Sequence, residues 1–476
     1  MFKTLRASDT SSSSLIDASN LLFFVNGRRE TIPSSSVDTR MTLLQYLRQS
    51  GRTGTKLGCA EGGCGACTVA VGRFDVKTNQ TEYIAVNACL APLISVHLCH
   101  VITVEGIGDL KTGLHPIQER IARAHGSQCG FCTPGIVMGL YAKLRSDAAP
   151  TVASLSSCMD GNLCRCTGYR PIIDAIKSFA KDLRTRPEFE ESKKRSNNGL
   201  IVTDSWSNAA KLSSLTPEAS ERIRKNQAFP EELKTLLRSR NGSRSIRVVS
   251  RNGAAWAQPS TLRELLDLKS QHGTEARIVV GNTEIGIELH LNKRKKIPLL
   301  VSLADVPEMH ELRFEDLGDE NSGVLHVGGA VTLSRLEHFL IKSRAEDVMP
   351  RPDQRRGLDA IQDMLRWFAS TQIRNVAGLA SNIVNASPIS DLCPVRRLIV
   401  LIRIDLEKPS TPTGTHGNRS LTGRDWRQET ISKSHSDRSK LFCGLSSCFS
   451  GARRGRSCGA YSLDETSRVC HGIQAS

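Results

Sequence analysis

The amino-terminal part of the chain alternates short apolar runs with turn residues. The apolar run Leu21–Val25 leads into Asn26–Gly27, a pair that supplies the two positive φ angles of a type I′ hairpin turn. Met41–Arg48 then places leucines at helical spacing, and Gly51 follows as a helix stop. After a loop rich in Gly and Cys, the pattern predicts two further strands: Cys67–Val71 and Tyr83–Val86. This order predicts a small α+β domain over residues 20–108.

The apolar spacing changes to a helical period over residues 109–185. Proline is well tolerated at the first position of a helix, and three prolines stand where helices are expected to begin: Pro116, Pro134 and Pro171. Thr133 is the predicted N-cap before the second of them. The last helix is predicted to carry one apolar face: Ile172, Ile176, Phe179 and Leu183. We therefore expect a compact domain of three or four short helices.

Residues 186–247 are polar and rich in Lys, Ser and Asn, which predicts a linker with at most a weak helix. A second folded region is predicted for residues 248–395, with helices at Leu262–Leu268 and Ala360–Ala369 and a buried strand at Ile278–Val280. Beyond it the regular pattern fades. We expect residues 396–476, dominated by Arg, Ser, Gly and Thr, to be a disordered tail, and we interpret them as an out-of-frame or alternative terminus.

Composition narrows the possible functions. The chain of 476 residues is 39% hydrophobic, which excludes wholesale disorder, and its net charge of +16 would ordinarily favour a nucleic acid or an anionic membrane as partner. The basic residues are nevertheless scattered and only 5% of residues are aromatic, so we expect no nucleic-acid partner. No stretch approaches the ~20 apolar residues of a membrane span. The start of the chain lacks the apolar core of a secretory signal, so we expect a cytoplasmic protein, with a peroxisomal location as the alternative.

The fifteen cysteines are then more plausible as metal ligands than as disulfides. The first group has the spacing Cys59-x4-Cys64-x2-Cys67, and Cys89 follows after a strand pair. Four thiolates in this spacing are typical of a plant-type [2Fe–2S] cluster. The glycines between these cysteines let the loop curl and let its N–H groups point at sulfur. A zinc site is the competing interpretation, although zinc prefers paired C-x2-C arms.

A second group consists of Cys129-x2-Cys132 and Cys164-x-Cys166. Each pair precedes a predicted helix, and helix amino termini concentrate positive dipole ends that suit an anionic cluster. Taken alone, this set would also suit zinc. Beside a ferredoxin-like domain, a second [2Fe–2S] centre is the favoured interpretation.

Three motifs resemble the xanthine dehydrogenase and aldehyde oxidase family. They are GCAEGGCGAC at 58–67, QCGFCTPG at 128–135 and GNLCRCTGYRP at 161–171. The resemblance implies an outer cluster on the first cysteine group and an inner cluster on the second. It also implies that Gln128 and Cys166 approach a molybdopterin, whereas Cys99 and Cys158 match no ligand and are expected to be packed thiols.

The implied architecture is α+β and multidomain. A plant-type ferredoxin-like β-grasp domain would span residues 20–108, an α-helical [2Fe–2S] bundle domain residues 109–185, and an incomplete α+β FAD-binding domain of the molybdenum hydroxylase type residues 248–395. Family members continue into a large molybdenum-cofactor domain, which we do not find in this chain.

A Gly-Asn turn follows the strand predicted near residue 278. Such a turn exposes N–H groups that suit a pyrophosphate, although alone it is more often a plain turn. By resemblance the segment is the flavin pyrophosphate loop: Ile278, Val279, Val280, Gly281, Asn282, Thr283, Glu284 and Ile285. A second segment is similar to the family's other flavin contacts: Phe368, Gly378, Asn382 and Asp391. An ordinary core aromatic remains the alternative for Phe368.

The resemblance implies purine hydroxylation at molybdenum, with electrons passing through the inner cluster, the outer cluster and FAD to NAD⁺. This chain would supply the electron-transfer portion, and no catalytic residue is assigned in it. The family further implies a molybdenum-cofactor domain or subunit as partner and a homodimeric full-length enzyme. Two alternatives remain: a fragment of an aldehyde oxidase, which would use oxygen, and a separate electron-transfer subunit. Asp391 and the Asn282–Ile285 loop favour the dehydrogenase.

Overall fold

The computed structural model describes residues 20–185, 187, 226–250, 253–291, 297–316, 323–346, 352–387 and 390–392. The predictions for the tail at 396–476 and for most of the 186–225 segment lie outside these residues. Within the described ranges, α-helices and β-strands are both abundant, as predicted. Every helix in these ranges is too short or too polar to cross a bilayer.

The first folded region is built on a five-stranded sheet in the order β2-β1-β5-β3-β4, in which β1 and β5 are parallel and the other neighbours antiparallel. Its strands are β1 (Asn20–Val25), β2 (Arg28–Pro33), β3 (Thr68–Asp75), β4 (Gln80–Asn87) and β5 (His100–Ile102). Asn26 and Gly27 join β1 to β2 at φ values of 52° and 76°, which confirms the predicted turn. Helix α1 (Leu43–Gln49) is capped by Thr42 and buries its leucines against the sheet.

Five helices follow: α2 (Val104–Ile107), α3 (Pro116–Arg123), α4 (Thr133–Ser146), α5 (Val152–Ser157) and α6 (Arg170–Lys177). The prediction that Thr133 caps α4 is wrong, because Cys132 is the N-cap and the Thr133 hydroxyl bonds to Ser127 instead. The predicted length of α6 is also wrong. Phe179 and Leu183 are buried, but they lie beyond the end of the helix.

The last third of the predicted linker is folded. Residues 226–250 include helix α7 (Glu231–Ser239) and strand β6 (Ile246–Val249). Leu233 and Leu237 of α7 pack with Phe229 against the outer face of the first sheet, beside Phe24 and Phe74. This segment is therefore part of the folded structure and joins the two regions.

The remaining residues form a four-stranded sheet in the order β6-β7-β9-β8 and a hairpin of β10 and β11. The strands are β7 (Ala255–Gln258), β8 (Ala276–Val279), β9 (Leu299–Ser302), β10 (Leu312–Asp316) and β11 (Gly323–Val327). The helices are α8 (Leu262–His272), α9 (Ile285–Leu291), α10 (Leu333–Ala345), α11 (Pro352–Trp367), α12 (Thr371–Arg374) and α13 (Leu379–Asn385). Strands β7, β9 and β8 are parallel to each other, so the loop after β8 lies at one edge of this sheet.

Candidate functional site

The first cysteine group is assembled by one loop and one hairpin. Cys59 and Cys64 lie on the loop between α1 and β3, whereas Cys67 precedes β3 and Cys89 follows β4. Thr68 pairs with Asn87 in the hairpin, so Cys67 and Cys89 meet at the same end of the two strands. Their thiols are hydrogen-bonded to each other, and both residues are buried.

Backbone N–H groups of this loop point at sulfur. Cys59 Sγ accepts from the N–H of Glu61 at 3.4 Å and from that of Gly63 at 3.3 Å, and Cys64 Sγ accepts from the N–H of Cys59 at 3.4 Å. Burial opposes ionisation of Cys59, but these donors outweigh burial and lower the pKa of its thiol. These donors therefore favour the thiolate of Cys59, the form that binds a metal, whereas burial raises the pKa of Cys64.

The thiols of Cys67 and Cys89 shift each other's pKa in opposite directions. Donation of a hydrogen bond to Cys89, together with burial, raises the pKa of Cys67, and acceptance of the same bond lowers the pKa of Cys89. Metal binding releases the protons of its thiol ligands, so loading of this site is expected to weaken at acid pH.

The second group lies ahead of two helices. Cys129 and Cys132 precede α4, and Cys164 and Cys166 lie on the loop before α6. Hydrogen bonds between thiols pair Cys129 with Cys166 and Cys132 with Cys164. Burial, with the bond to Cys164, raises the pKa of Cys132 to about 12. Burial opposes ionisation of Cys164, but hydrogen bonds led by that from the Thr167 hydroxyl, 3.1 Å away, lower its pKa.

Both groups therefore consist of closely spaced thiols. In the second group and at Cys67 and Cys89 the thiols bond in pairs, and Cys59 and Cys64 are linked by the 3.4 Å bond from the Cys59 N–H to the Cys64 sulfur. In the described part of the chain, no three His, Cys, Asp or Glu side chains converge as a single metal ion requires. Four thiolates shared between two irons are the ligand set of a [2Fe–2S] cluster, and the paired arrangement fits it.

The two cysteine loops touch each other. The N–H of Leu163, the neighbour of Cys164, donates to the carbonyl oxygen of Cys64 at 3.0 Å. Gly65, at φ +68°, packs so closely that a Cβ there would lie 2.3 Å from the carbonyl oxygen of Gly161. A Cβ on Gly135 would lie 2.2 Å from the Gly65 oxygen. Glycine at these positions thus permits a direct hydrogen-bonded connection between the two groups.

The predicted flavin loop follows β8 and lies against the first cysteine group. Asn282, at φ +58°, donates its side-chain N–H to the carbonyl oxygen of Leu90 at 2.7 Å, and Leu90 directly follows Cys89. A Cβ on Gly281 would lie 2.2 Å from the carbonyl oxygen of Val376, so the loop also packs on the second flavin segment. The Oδ1 atom of Asn282 is buried and has no hydrogen-bond partner in the described residues. This buried acceptor and close-packed glycine fit a loop that holds a ligand.

The other predicted flavin residues have different surroundings. Gly378 is buried and lies beside Val280, whereas Phe368 is half-buried and packs on an apolar core. Asn382 accepts a 2.9 Å hydrogen bond from Ser390, and Asp391 is exposed. The structure therefore brings Gly378 to the loop, whereas one side of Phe368 packs on an apolar core.

Comparison with known protein families matches the two cysteine-containing regions and the region of the predicted flavin loop. Residues 23–93 match the family described as "2Fe-2S iron-sulfur cluster binding domain", and residues 103–177 match "[2Fe-2S] binding domain". Residues 249–400 match "FAD binding domain in molybdopterin dehydrogenase". The xanthine dehydrogenase of Oryza sativa subsp. japonica is 43% identical over 397 residues, which cover 78% of this chain and 28% of that protein. Over this length the chain is homologous to xanthine dehydrogenases.

Other relatives agree with this assignment. The xanthine dehydrogenase of Drosophila pseudoobscura pseudoobscura is 44% identical over 386 residues, and the xanthine dehydrogenase/oxidase of Rattus norvegicus is 43% identical over 382 residues. Each match covers 79% of this chain and 27% of the relative, so the chain spans just over a quarter of the xanthine dehydrogenases it matches. Among solved structures, quinoline 2-oxidoreductase from Pseudomonas putida 86 is 34% identical, with 37% of this chain and 96% of that chain covered and a TM-score of 0.29.

This homologue of xanthine dehydrogenases has two [2Fe–2S]-binding domains and an FAD-binding domain. Its homologues are oxidoreductases. Sequence reasoning did not find the buried amides around the cysteines. Asn87 donates to the carbonyl oxygen of Gly62 at 3.0 Å, and its Oδ1 lies 3.7 Å from Cys67 Sγ. The one sequence signal for Asn87 is its position two residues before Cys89, at the end of a strand.

A cavity of about 490 Å³ adjoins the first cysteine group. It is bounded on one side by residues 38–49 and on the other by Asn282 and His290, and Cys89 contributes to its wall. The cavity lies between the two regions that the family assigns to iron–sulfur and flavin binding. The sequence contained no signal for it, because its walls come from distant segments.

Proposed function

We propose that this chain is the electron-transfer portion of a xanthine dehydrogenase. In the full-length enzyme, hypoxanthine and xanthine would be oxidised to urate, and electrons would pass through two [2Fe–2S] clusters and FAD to NAD⁺. The xanthine dehydrogenases that match the chain over 78–79% of its length support the proposal. The observation that carries it is the contact between the two cysteine loops.

The side chains have distinct roles under this proposal. The inner cluster would be held by Cys129, Cys132, Cys164 and Cys166, and the outer cluster by Cys59, Cys64, Cys67 and Cys89. Iron–sulfur clusters carry single electrons, which a flavin can collect and pass on in pairs. Gly63 and Glu61 donate N–H groups to Cys59 Sγ, which stabilises negative charge at the outer site.

The contacts also define a short connection between the sites. The Leu163 N–H joins the inner loop to the carbonyl of Cys64, and Asn282 joins the flavin loop to the residue after Cys89. One hydrogen bond thus joins the inner cysteine loop to the outer one, and one joins the outer cysteine group to the flavin loop. The loop Ile278–Ile285 would hold the flavin pyrophosphate, with Gly378 beside it and Phe368, Asn382 and Asp391 as further flavin residues.

We assign the domains on the same basis. Residues 20–108 would be the ferredoxin-like β-grasp domain, 109–185 the helical bundle domain, and 248–395 the flavin domain, joined by 186–247. The mixed sheet in the order β2-β1-β5-β3-β4 supports the first assignment, and helices α3 to α6 support the second.

A molybdenum-cofactor domain or subunit is the proposed partner. Cys129, Cys166 and Gln128 are exposed, and the apolar side chains of Phe131 and Leu163 beside them are 47% and 58% exposed. An exposed apolar patch around a redox site suits a docking surface. A cytoplasmic location and homodimeric assembly of the full-length enzyme complete the proposal.

The test is to express the whole chain anaerobically with iron and to measure its metal, sulfide and visible spectrum. We expect about four irons and about four labile sulfides per chain, because each [2Fe–2S] centre contributes two of each. Zinc in place of iron would contradict the proposal.

Three cysteine variants refine the test. Cys64→Ser and Cys164→Ser are each expected to lose about two irons per chain, since each removes a ligand from one cluster. Cys158→Ser is the matched control, because Cys158 is a buried thiol outside both groups. Equal iron loss in all three variants would show that the cysteines support folding rather than bind clusters.

A further inference from the structure

Helix α12 of the flavin-binding region is inserted between the two iron–sulfur regions. Its N-cap Ser370 accepts from the N–H of Ile373, and its Gln372 side chain is completely buried. A Cβ on Gly62 in the first cysteine loop would lie 2.8 Å from Ile373, and one on Gly161 would lie 2.1 Å from the Gln372 amide oxygen. The helix therefore packs directly on both cysteine loops.

The amide of Gln372 bonds to both loops. Its Nε2 donates to Asn162 Oδ1 at 2.8 Å and to Thr68 Oγ1 at 3.2 Å. Asn162 lies two residues before Cys164, and Thr68 directly follows Cys67. One side chain thus contacts the neighbours of both cysteine groups.

The same residues close a ring of hydrogen bonds at Gly65. Asn162 Nδ2 donates to the Gly65 carbonyl oxygen at 3.2 Å, and the Thr68 hydroxyl donates to that oxygen at 2.6 Å. The ring runs from Gln372 through Asn162 to Gly65 and back through Thr68. All of its side chains are at least nine-tenths buried, and the hydrogen bonds of a buried ring favour one geometry. The Gln372 Oε1 atom has no hydrogen-bond partner among the described residues, so the amide is held through its Nε2 atom alone.

Helix α12 is anchored independently of this ring. Arg374 pairs with Asp160 at 2.8 Å, and Thr371 donates to the same carboxylate at 2.9 Å. On the other side, Asn375 donates to the carbonyl oxygen of Ala85 at 3.0 Å. Loss of the Gln372 amide would therefore leave the helix docked and the direct bonds between the loops in place, while removing the side chain that bonds to both loops at once.

We propose that Gln372 is a positioning residue that sets the separation of the two iron–sulfur sites. The inference rests on the proposed function, because it requires a cluster on each cysteine group. The inference gives the flavin-binding region a second role, because one of its side chains holds the two preceding iron–sulfur regions at a fixed distance from each other. Functional groups need support of this kind to stay within about 0.5 Å of a working geometry.

The experiment compares Gln372→Leu with the wild-type chain, both loaded with iron and fully reduced. Electron paramagnetic resonance reports the magnetic interaction of two reduced clusters as a splitting of their lines, which falls steeply with distance. We expect the wild type to show the splitting and Gln372→Leu to show a smaller splitting with the wild-type iron content. Gln258→Leu is the matched control, because Gln258 is a buried glutamine of the same region that bonds to Arg244 and contacts neither loop.

An unchanged splitting in Gln372→Leu would overturn the inference. If that variant loses iron, Gln372→Asn replaces it, since this change keeps the amide but shortens its reach. Altered splitting with full iron in Gln372→Asn supports the inference, and unaltered splitting overturns it. Iron loss from both variants also overturns the inference, because Gln372 would then be required for the folded structure rather than for the separation of the two sites. A wild-type chain without iron would instead refute the proposed function itself.

Discussion

Gly65 combines a left-handed backbone with a close contact between the two cysteine loops. Its φ is +68°, and its carbonyl oxygen accepts from both Asn162 and Thr68. A side chain at this position would meet the Gly161 carbonyl rather than a flexible group. Only glycine satisfies both the angle and the space.

Gly65→Ala is therefore expected to destabilise the protein. The left-handed angle costs an alanine about 1–2 kcal/mol, and the steric overlap adds about 1–3 kcal/mol to the loss in the free energy of unfolding. Chemical denaturation followed by circular dichroism measures this change. Gly63→Ala is the control, because a Cβ there has no neighbour within 4 Å. Equal effects of the two substitutions would contradict the explanation.

Two buried histidines link stability to pH. His97 Nδ1 accepts from the N–H of Leu22 at 3.2 Å, and His100 Nε2 accepts from that of Gly27 at 3.1 Å. Burial, assisted by nearby arginines, lowers the pKa of His97 to about 3 and that of His100 to about 4. Both rings are therefore neutral in the folded protein at every pH at which it is expected to work.

Stability is expected to fall as the pH drops from 6.5 towards 4. Over this range the unfolded chain binds protons that the folded protein excludes, and each histidine then costs about 2 kcal/mol at pH 5. Thermal unfolding between pH 7 and pH 5 measures the loss. The double variant His97→Asn/His100→Gln keeps an acceptor at each position and should flatten the profile. A profile as steep as that of the wild type would exclude the histidines as its cause.

Helix α7 shows where sequence reasoning reached its limit at the level of elements. Its residues lie in a polar segment, and its apolar positions are few, so the pattern indicated a linker. Leu233 and Leu237 are nevertheless completely buried, because Phe24 and Phe74 of the first sheet supply the other half of their core. A short amphipathic helix whose partner lies far along the chain has too weak a local signal to be predicted.

Leu233→Ala is expected to reduce the free energy of unfolding by about 2–5 kcal/mol, because it removes buried methyl groups and leaves a cavity. Thr235→Ala, on the exposed face of the same helix, should change it by less than about 0.5 kcal/mol. Urea denaturation compares the two variants. A small effect of Leu233→Ala would mean that α7 does not contribute to the folded core.

The cysteine positions, in contrast, were predictable because their signal is local. The spacing of Cys59, Cys64 and Cys67 and the glycines between them fit into ten residues. The Gln372 ring had no such signal, since its members are separated by 210 and 304 residues. The predicted N-cap of α4 was wrong for a different reason: the Thr133 hydroxyl forms a hydrogen bond with Ser127, six residues earlier in the chain.

At the scale of the whole molecule, Arg244 connects the two sheets. It forms an ion pair with Asp305 at 3.0 Å, and its guanidinium lies 3.9 Å from Cys99 Sγ on the first sheet. The side chain of Asp305 is only 5% exposed. A carboxylate with so little access to water depends on its partner for solvation.

Arg244→Leu is expected to lower the free energy of unfolding by about 3–5 kcal/mol, because it leaves Asp305 buried without its counter-charge. The double variant Arg244→Leu/Asp305→Leu should recover a large part of this loss, since no unpaired charge remains. Differential scanning calorimetry of the whole chain measures both. Failure of the double variant to recover would show that packing, rather than charge, dominates at this position.

The close contact of the cysteine loops limits how such proteins are recombined. A Cβ on Gly65 would meet the carbonyl oxygen of Gly161, and a Cβ on Gly135 would meet that of Gly65. A chimera can join the first domain of one relative to the later domains of another. It must then keep glycine at the positions of Gly65 and Gly135, one in each of the two contacting segments. Gene fusion or domain shuffling at this boundary succeeds only when the two loops are inherited as one matched pair.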